Sequence, residues 1–233
     1  MKAIILAAGM GNRIKEITGG MPKGFLEVNG KTIIQHQIDE LKRVGITKIA
    51  MVTGYKKELF RDFKKQGIEL LYNPFYRGTN VMGSYWFAKD FLDEPFVYCH
   101  GDTYFEPEIL DLLLASPGNN LAVEFKECGR EEMKVKVEGG KVIEISKEMT
   151  ESAGEFIGIA KFEDVSQINA KMEELIDEYY GSFFERVITG LLGTEITFNA
   201  IDIGDRIWEE VDFKEDYENL TKRVAEKFGF VQS

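Results

Sequence analysis

The chain has 233 residues, of which 44% are hydrophobic, and its 40 acidic and 29 basic side chains give a formal net charge of −11. This acidity argues against a nucleic acid or an anionic membrane surface as the main partner, and no apolar run approaches the roughly 20 residues that span a bilayer. The two cysteines lack the spacing of a metal site, so we expect two buried free thiols in a cytoplasmic protein that neither binds nucleic acid nor inserts into a membrane.

Short apolar runs rich in β-branched residues recur through the first half of the chain, and each predicts a strand. Between them, apolar residues recur at helical spacing, as in Ile33–Val44, Leu59–Phe63 and Ile109–Leu113. Strands separated by single helices are typical of βαβ units with right-handed crossovers, which predicts a mostly parallel sheet. The predicted strands are Ala3–Leu6, Lys48–Val52, Glu69–Tyr72, Phe96–Cys99 and Leu121–Phe125.

The pattern changes after Cys128. Alternating polar and apolar residues in Met133–Ser146 surround a Gly-Gly pair and predict a β-hairpin. No Pro-, Ser- or Gly-rich linker separates the two halves, and nothing near Gly229–Ser233 indicates a continuation, so we expect one α/β domain, residues 1–233, with a small β-rich insertion. The other predicted elements are strands at Gly154–Phe162 and Glu195–Asp202 and helices near Val165–Tyr179, Phe183–Thr189 and Lys214–Phe228.

The glycine-rich segment Leu6–Gly24 directly follows the first predicted strand. Gly9 and Gly11 would let backbone N–H groups approach an anion closely. Arg13 adds a guanidinium group suited to phosphate oxygens, and Lys23 adds a second cation. The segment lacks the third glycine of the dinucleotide-binding fingerprint and the Gly-Lys-Ser/Thr of the P-loop, so it disfavours an NAD-dependent oxidoreductase and a P-loop kinase. It predicts a different kind of site for a phosphorylated ligand.

This segment reads L-A-A-G-x-G-x-R-(x8)-P-K and resembles the signature of the nucleotidyltransferases, which join an NTP to a phosphorylated acceptor and release pyrophosphate. The resemblance implies a Rossmann-like three-layer nucleotidyltransferase fold with a mostly parallel mixed central sheet. It also implies a nucleotide-binding half, residues 1–127, and an acceptor-binding half, residues 128–233. Segments that resemble the family's second strand, base-contacting segment and two metal-binding aspartate regions are Val52–Tyr55, Asn73–Lys89, His100–Phe105 and Trp208–Leu220.

Two segments favour one branch of this family. Asn80–Ser84 and Ser146–Glu148 stand where sugar-1-phosphate thymidylyl- and uridylyltransferases usually have Gln-Ala-Gly-Leu and Glu-Lys-Pro. They resemble the small cytidylyltransferases that act on phosphocholine, aminoethylphosphonate, phosphoglutamine or inositol 1-phosphate. The resemblance implies Mg²⁺-dependent transfer of CMP from CTP to a small phosphorylated alcohol or phosphonate, phosphoethanolamine included.

Other interpretations stay open. One is a sugar-1-phosphate nucleotidyltransferase that uses UTP or dTTP, and another is a non-catalytic nucleotide-binding regulatory protein of the same fold. The sequence leaves both a monomer and a homodimer open as the oligomeric state.

The resemblance also assigns roles to individual residues. Arg13 and Lys23 would hold the triphosphate, Lys23 as an exposed loop side chain, and Lys147 would neutralise the acceptor's phosphate. Asp102 and Asp212 would hold Mg²⁺. The residues implied for the nucleotide are Leu6, Ala7, Ala8, Gly9, Gly11, Tyr55, Asn80, Ser84 and Gly101, and those implied for the acceptor are Glu155 and Trp208.

From the residues alone, several of these assignments have competing explanations. Asp102 follows a predicted strand and a glycine, where an aspartate often caps a helix, and Asn80 is a good N-cap as well. Asp212 lies among acidic residues that could form a solvated face, and Lys147 lies in a charged stretch that could be surface.

An aromatic group would suit a cationic acceptor such as choline through cation–π contacts. The choline-specific enzymes carry a tryptophan in the hairpin region, but this sequence has Arg130–Met133 there and no matching tryptophan. A polyol acceptor such as inositol 1-phosphate is therefore still possible. The aromatic residues that would form such a wall are Tyr179, Tyr180, Phe183, Phe184 and Trp208.

Overall fold

A nine-stranded mixed sheet forms the centre of the protein in a computed structural model that describes residues 1–229. Residues 230–233 lie outside the described residues. They form the end of the predicted domain and of Gly229–Ser233, the segment where the sequence indicated no continuation. The strands are β1 (Lys2–Ala7), β2 (Glu27–Val28), β3 (Lys31–Thr32), β4 (Lys48–Thr53), β5 (Glu69–Tyr72), β6 (Phe96–His100), β7 (Thr103–Phe105), β8 (Asn119–Glu124), β9 (Lys134–Glu138), β10 (Lys141–Ser146), β11 (Gly154–Phe162), β12 (Phe198–Asp202) and β13 (Trp208–Glu210). The α-helices are α1 (Lys15–Thr18), α2 (Ile33–Arg43), α3 (Val81–Trp86), α4 (Pro107–Ala115), α5 (Val165–Tyr179), α6 (Glu185–Leu191) and α7 (Lys214–Phe228), and 3-10 helices cover Asn12–Ile14, Lys23–Phe25 and Lys57–Gln66.

The order of the strands across the main sheet is β5-β4-β1-β6-β11-β8-β12-β10-β9. Strands β5, β4, β1 and β6 are parallel to one another, whereas β11 is antiparallel to β6 and β8. The antiparallel hairpin of β9 and β10 forms the small β-rich insertion at one edge of the sheet. The predicted α/β fold with a mixed central sheet is confirmed, but among the described residues four of the eight neighbouring strand pairs are antiparallel, so the sheet is not mostly parallel.

Strand β1 shows why this sheet is covered on both faces. Ile4 and Ile5 are fully buried and point to opposite sides, as successive side chains of a strand do. Ile4 packs in a cluster with side chains of α3, α5 and α6. Ile5 packs in a second cluster with side chains of α2 and α4. Helices therefore lie on both sides of the sheet, which gives the three predicted layers.

The predicted elements and the observed ones differ in a few places. The bounds of β11, α5 and α7 are the predicted ones, whereas the apolar stretch Leu59–Phe63 lies in a 3-10 helix, Lys57–Gln66, rather than an α-helix. The antiparallel pairs β2–β3 and β7–β13 were not predicted. Each of these strands has only two or three residues, which is too short for an alternating pattern to show in the sequence.

The parallel strands also determine where a ligand can bind. Because β1, β4 and β6 run in the same direction, their carboxyl ends meet at one edge of the sheet, where open α/β folds bind ligands. The glycine-rich segment follows β1 at this edge, Tyr55 follows β4, and Gly101 and Asp102 follow β6. The β7–β13 ladder begins directly beyond Asp102.

Two further sequence expectations concern the thiols and the membrane. Both cysteines are free, and Cys99 is buried as expected, but Cys128 is partly exposed, so the expectation of a buried thiol was wrong there. No helix within residues 1–229 is both long and apolar enough to cross a membrane.

Candidate active site

A cavity of about 620 Å³ opens at the edge of the sheet where β1 and β6 end. Its volume lies within the range of small-molecule sites, roughly 300–1,000 Å³. It is lined from both halves of the chain. Most predicted site residues line it, namely Leu6, Ala8, Gly9, Gly11, Arg13, Lys23, Asn80, Ser84, Asp102, Lys147, Glu155, Trp208 and Asp212.

Three predicted site residues, Ala7, Tyr55 and Gly101, do not line the cavity. The N–H of Tyr55 donates to the carbonyl of Ala8 at 3.1 Å. The N–H of Gly101 donates to the carbonyl of Leu6 at 2.9 Å, and a Cβ on Gly101 would lie 2.8 Å from the Cβ of Ala7. These residues therefore support the loop that lines the cavity.

Gly11 holds the glycine-rich loop in a conformation that other residues rarely adopt. Its φ is +57°, in the left-handed region, and a Cβ there would lie 2.8 Å from Cγ of Lys23. Gly9 has open space where a side chain would stand, with no atom within 4 Å. The loop therefore gives room to Lys23 on one side and leaves its backbone open to a ligand on the other.

Lys23 lies between the two predicted metal-binding aspartates. Its Nζ is 2.6 Å from Oδ1 of Asp212 and also contacts Oδ2 of Asp102, while Nη2 of Arg13 donates to Oδ2 of Asp212 at 2.9 Å. Burial alone would lower the pKa of Lys23, but Asp102, Asp212 and Glu210 outweigh it and raise that pKa well above its usual value. Only 15% of the Lys23 side chain is exposed, so the expectation of an exposed loop lysine was wrong.

The short β7–β13 ladder brings the two aspartates together. It pairs Glu210 with Thr103, and the N–H of Val211 donates to the carbonyl of Asp102 at 3.1 Å. Oδ2 of Asp216, in the first turn of α7, accepts from the N–H of Asp212 at 2.9 Å. Both aspartates are therefore held by backbone hydrogen bonds, and neither lies on a freely solvated acidic face.

His100 and Glu210 form a half-buried polar pair in the cavity that the sequence did not predict. Nδ1 of His100 lies 3.1 Å from Oε1 of Glu210, and Nε2 lies 2.8 Å from the hydroxyl of Tyr98. Burial would lower the pKa of His100 and raise that of Glu210, but each charge outweighs this effect on its partner, so the pKa of His100 is raised and that of Glu210 is lowered. Ligand atoms of His100, Asp102 and Glu210 lie within 4.8 Å of one another.

A β-bulge in β11 makes room for this pair. The register of β11 against β8 shifts between Phe156 and Ala160, and Gly158 lies there with a φ of +77°. A Cβ on Gly158 would lie 2.6 Å from Nδ1 of His100. The glycine is therefore required both by its conformation and by the close approach of the imidazole ring.

Glu155 and Trp208 share one cationic neighbour. Nζ of Lys126 lies 2.8 Å from Glu155 and 2.7 Å from Glu124, and 5.1 Å from the centroid of the Trp208 ring. Burial raises the pKa of Glu155 to about 7 despite this contact. Burial likewise raises the pKa of Glu209 to about 7. This side of the cavity thus holds carboxylates that are poorly solvated.

Lys147 and Glu185 line the same side. Nζ of Lys147 lies 4.7 Å from the centroid of the Phe183 ring, and Nζ of Lys134 fixes the Lys147 backbone through its carbonyl at 2.7 Å. Burial raises the pKa of Glu185, the first residue of α6. Its Oε2 is buried and has no hydrogen-bond partner among the described residues.

Asn80 and Ser84 combine a place in the cavity lining with a structural role. Oδ1 of Asn80 accepts a hydrogen bond from the N–H of Val81 at 2.9 Å and caps α3, so the alternative explanation of Asn80 as an N-cap is confirmed. Oγ of Ser84 accepts from Nδ2 of the buried Asn73 at 3.3 Å. Base recognition by these two side chains stays a prediction.

The expected aromatic wall is divided in the structure. Phe183, Phe184 and Trp208 line the cavity, but Tyr179 packs against the hydrophobic core. Tyr180 is 52% exposed and lines a separate groove. Phe184 stacks on Tyr98 with ring centroids 5.1 Å apart.

Some lining residues could have been found from the sequence. Tyr98 and His100 are two residues apart on β6, so strand alternation places them on one side, and Glu210, at the end of β13, precedes Asp212 by two residues. Lys126 and Glu185 carry no such signal, because only the tertiary fold brings them to the cavity.

The arrangement suits the binding of two anionic groups near each other. Backbone N–H groups, Arg13 and Lys23 can bind a polyphosphate, and Lys147 can bind a second phosphate. The paired carboxylates of Asp102 and Asp212 present hard oxygen ligands that suit a divalent cation.

Comparison with known proteins identifies the family to which the chain belongs. Residues 3–154 match the MobA-like NTP transferase domain. The chain is 31% identical to choline-phosphate cytidylyltransferase of Streptococcus pneumoniae over 229 residues, 94% of this chain and 96% of that one. It is 29% identical to CTP:phosphoglutamine cytidylyltransferase of Campylobacter jejuni over 94% of this chain and 98% of that one. The fold is similar to that of the inositol-1-phosphate CTP transferase from T. maritima, with a TM-score of 0.80, 21% identity, and coverage of 97% and 96% of the two chains. The chain therefore belongs to the MobA-like NTP transferase family and is a nucleotidyltransferase, as its glycine-rich segment predicted.

Proposed function

We propose that this nucleotidyltransferase transfers CMP from CTP to a small phosphorylated alcohol or phosphonate and releases pyrophosphate. The observation that carries the proposal is Lys23, which lies between Asp102 and Asp212 in a cavity lined by the glycine-rich loop. CTP is favoured because two relatives that match nearly the whole chain are cytidylyltransferases. We further propose that residues 1–127 and 128–233 are the nucleotide- and acceptor-binding halves of one domain.

The chemistry assigns a task to each group of residues. An acceptor oxygen attacks the α-phosphorus in line, and because both reactants are anionic, the main barrier is charge repulsion and positioning. The backbone at Gly9 and Gly11 and the guanidinium of Arg13 would bind the triphosphate. Lys23 would neutralise the charge that develops on the leaving pyrophosphate. Lys147, which forms no ion pair within residues 1–229, would neutralise the acceptor's phosphate.

A divalent cation, which we propose to be Mg²⁺, fits the two aspartates. Oxygens of Asp102 and Asp212 already converge on one positive charge, the ammonium of Lys23, and carboxylate oxygens are the ligands that Mg²⁺ prefers. When bound, Mg²⁺ would supply a template and a Lewis acid for the two phosphate groups. Since Lys23 and the metal would compete for the same oxygens, we expect Lys23 to turn to the triphosphate in the loaded enzyme.

One panel tests the proposal. CTP, UTP, dTTP and GTP are each combined with phosphocholine, phosphoethanolamine, aminoethylphosphonate, inositol 1-phosphate and glucose 1-phosphate, and pyrophosphate release is measured with and without Mg²⁺. We expect release with CTP and a small phospho-alcohol or phosphonate, and little with glucose 1-phosphate. A preference for UTP or dTTP with glucose 1-phosphate would show a sugar-1-phosphate nucleotidyltransferase instead. No turnover with any pair would contradict the proposed set of acceptors.

A further inference from the structure

The side chain of Gln37 lies in the hydrophobic core, on the buried face of α2. That face is otherwise apolar, and its other members are Ile33, Ile34, Ile38 and Leu41. Gln37 is fully buried, and its Oε1 has no hydrogen-bond partner among the described residues. An unpaired buried amide oxygen is costly, and a methionine would fill a similar space without that cost. Packing alone therefore does not explain an amide at this position.

The amide nitrogen of Gln37 binds two backbone carbonyls. Nε2 donates to the carbonyl of His100 at 2.7 Å and to the carbonyl of Thr103 at 2.6 Å. The opposite orientation of the amide would turn Oε1 towards these carbonyl oxygens, and none of the three oxygens has a proton to donate. The two hydrogen bonds therefore fix the orientation of the amide. One buried side chain uses both of its N–H bonds on one short segment of backbone.

This segment is the turn that carries Asp102. Strand β6 ends at His100 and β7 begins at Thr103, so only Gly101 and Asp102 lie between the two carbonyls that Gln37 binds. Connecting segments are generally more mobile than the strands they join, but here both ends of the turn are tied to a helix in the core. Gln37 thus fixes the backbone from which the carboxylate of Asp102 projects.

Other contacts connect this turn to its surroundings. Nε2 of His36, also on α2, lies 2.7 Å from the carbonyl of Phe105 at the end of β7. The 3-10 helix that begins at Lys23 packs on the turn so closely that a Cβ on Gly24 would collide with the carbonyl of Gly101. A shift of the turn would therefore change the distance between the carboxylate that it carries and the ammonium of Lys23.

We propose that Gln37 is a positioning residue, which sets the place of the Asp102 carboxylate and thereby the affinity of the site for its divalent cation. This inference rests on the proposed function, in which Asp102 is a metal ligand. Gln37 does not line the cavity, so it acts only through the backbone of the turn. Groups that orient a metal ligand from behind change metal affinity or activity by about 10–100-fold when they are removed.

Gln37→Met tests the proposal, because methionine fills a similar volume and removes both donors. Mg²⁺ binding is measured by calorimetry without nucleotide, and the Mg²⁺ concentration for half-maximal pyrophosphate release is measured with CTP. Both Mg²⁺ constants should rise by about 10-fold or more, while kcat at saturating Mg²⁺ stays within a few-fold of the wild-type value. Gln37→Glu keeps the shape of the side chain and, as a neutral carboxyl, one donor, so its constants should lie between those of the wild type and Gln37→Met.

The matched control is Asn120→Leu. Asn120 is also fully buried, and its Nδ2 donates to the carbonyls of Leu113 at 2.7 Å and Ser116 at 2.6 Å, but it does not line the cavity. The control loses the same kind of hydrogen bonds, so its Tm should fall as that of Gln37→Met does. Its Mg²⁺ constants should stay at the wild-type values, because neither carbonyl belongs to the turn. A general loss of stability would therefore not produce the expected result.

The wild-type enzyme separates this inference from the proposed function. Pyrophosphate release from CTP that requires Mg²⁺ upholds that function whatever the Gln37 variants do. Unchanged Mg²⁺ constants in Gln37→Glu, or in Gln37→Met where it folds, would overturn the role of Gln37 alone. An equal rise of these constants in Asn120→Leu would overturn it as well. Release from CTP without any divalent cation would overturn the metal site and this inference with it.

Discussion

Replacing Lys23 by methionine tests both the electrostatics of the site and the proposed chemistry. The change keeps most of the side-chain volume and removes the charge that two carboxylates share. The side chains of Lys23, Asp102 and Asp212 are 15%, 20% and 28% exposed, so the ion pairs lie between the buried and exposed cases. Removing one partner of a buried pair costs about 3–5 kcal/mol and of an exposed pair about 0–1 kcal/mol, so we expect a loss of about 1–3 kcal/mol.

For a chain of this size that loss corresponds to a decrease in Tm of about 3–10 °C in metal-free buffer. Millimolar Mg²⁺ should restore much of the difference, because a divalent cation can neutralise the same two carboxylates. Turnover should fall by on the order of 10²-fold or more, since the charge on the leaving group loses its partner. Thermal unfolding with and without Mg²⁺, together with pyrophosphate release from CTP, measures all three effects.

The matched control is Lys15→Met, which changes an exposed lysine at the start of α1, within the same glycine-rich segment. It should leave the Tm, its Mg²⁺ dependence and turnover close to the wild-type values. A metal-free Tm of Lys23→Met at or above the wild-type value would refute the account of the ion pairs. Turnover within a few-fold of wild type would remove Lys23 from the catalytic residues.

Three further predictions concern other parts of the site. Asp102→Asn and Asp212→Asn should each abolish Mg²⁺-dependent turnover while CTP still binds by calorimetry, and normal activity at low Mg²⁺ would exclude that residue as a ligand. Gly158→Ala should lower the unfolding free energy by about 1–3 kcal/mol more than the control Gly67→Ala. Both glycines have a positive φ, but only at Gly158 would the new Cβ lie 2.6 Å from the His100 ring. Equal losses in denaturant titrations would leave conformational strain as the sole cause. The pKa of Glu155 is raised from 4.5 to about 7, so between these values the folded protein holds a proton that the unfolded chain releases, and stability should fall as pH rises through this window. Relative to Glu155→Gln, the wild type should lose about 1–3 kcal/mol between pH 5 and 8, and a constant difference in denaturant titrations would contradict the raised pKa.

The parts of the fold that the sequence predicted are those whose pattern is local. Strand β11 and helix α7 show their periodicity within one segment, so their bounds could be read directly. The ladder of β7 and β13 could not be predicted, because three-residue strands far apart in the chain are defined only by their pairing. The 3-10 helix Lys57–Gln66 has the same apolar spacing as an α-helix, so periodicity alone does not separate the two.

The same distinction applies to the site. The glycine-rich loop with Arg13 and Lys23 lies in one contiguous motif, and a resemblance based on that motif could place it. Glu185 and Lys126 reach the cavity only because α6 and the end of β8 are packed against it, and their own segments look like ordinary charged surface. The burial of Lys23 was missed for a related reason, since its partners come from distant parts of the chain.

The distribution of charge in the cavity gives a physical reason why one site could orient two anionic substrates. Arg13 and Lys23 lie by the glycine-rich loop, whereas the unpaired oxygen of Glu185 belongs to the opposite half of the chain. Under the proposed function, a triphosphate is attracted to Arg13 and Lys23 and is repelled by the carboxylate of Glu185. The acceptor's phosphate is then bound at Lys147, which lies near Glu185, because the more highly charged triphosphate is kept on the side of Arg13 and Lys23. Polarity of this kind would reduce the repulsion between the reacting phosphates without a nucleophilic side chain, which is the positioning that this reaction requires.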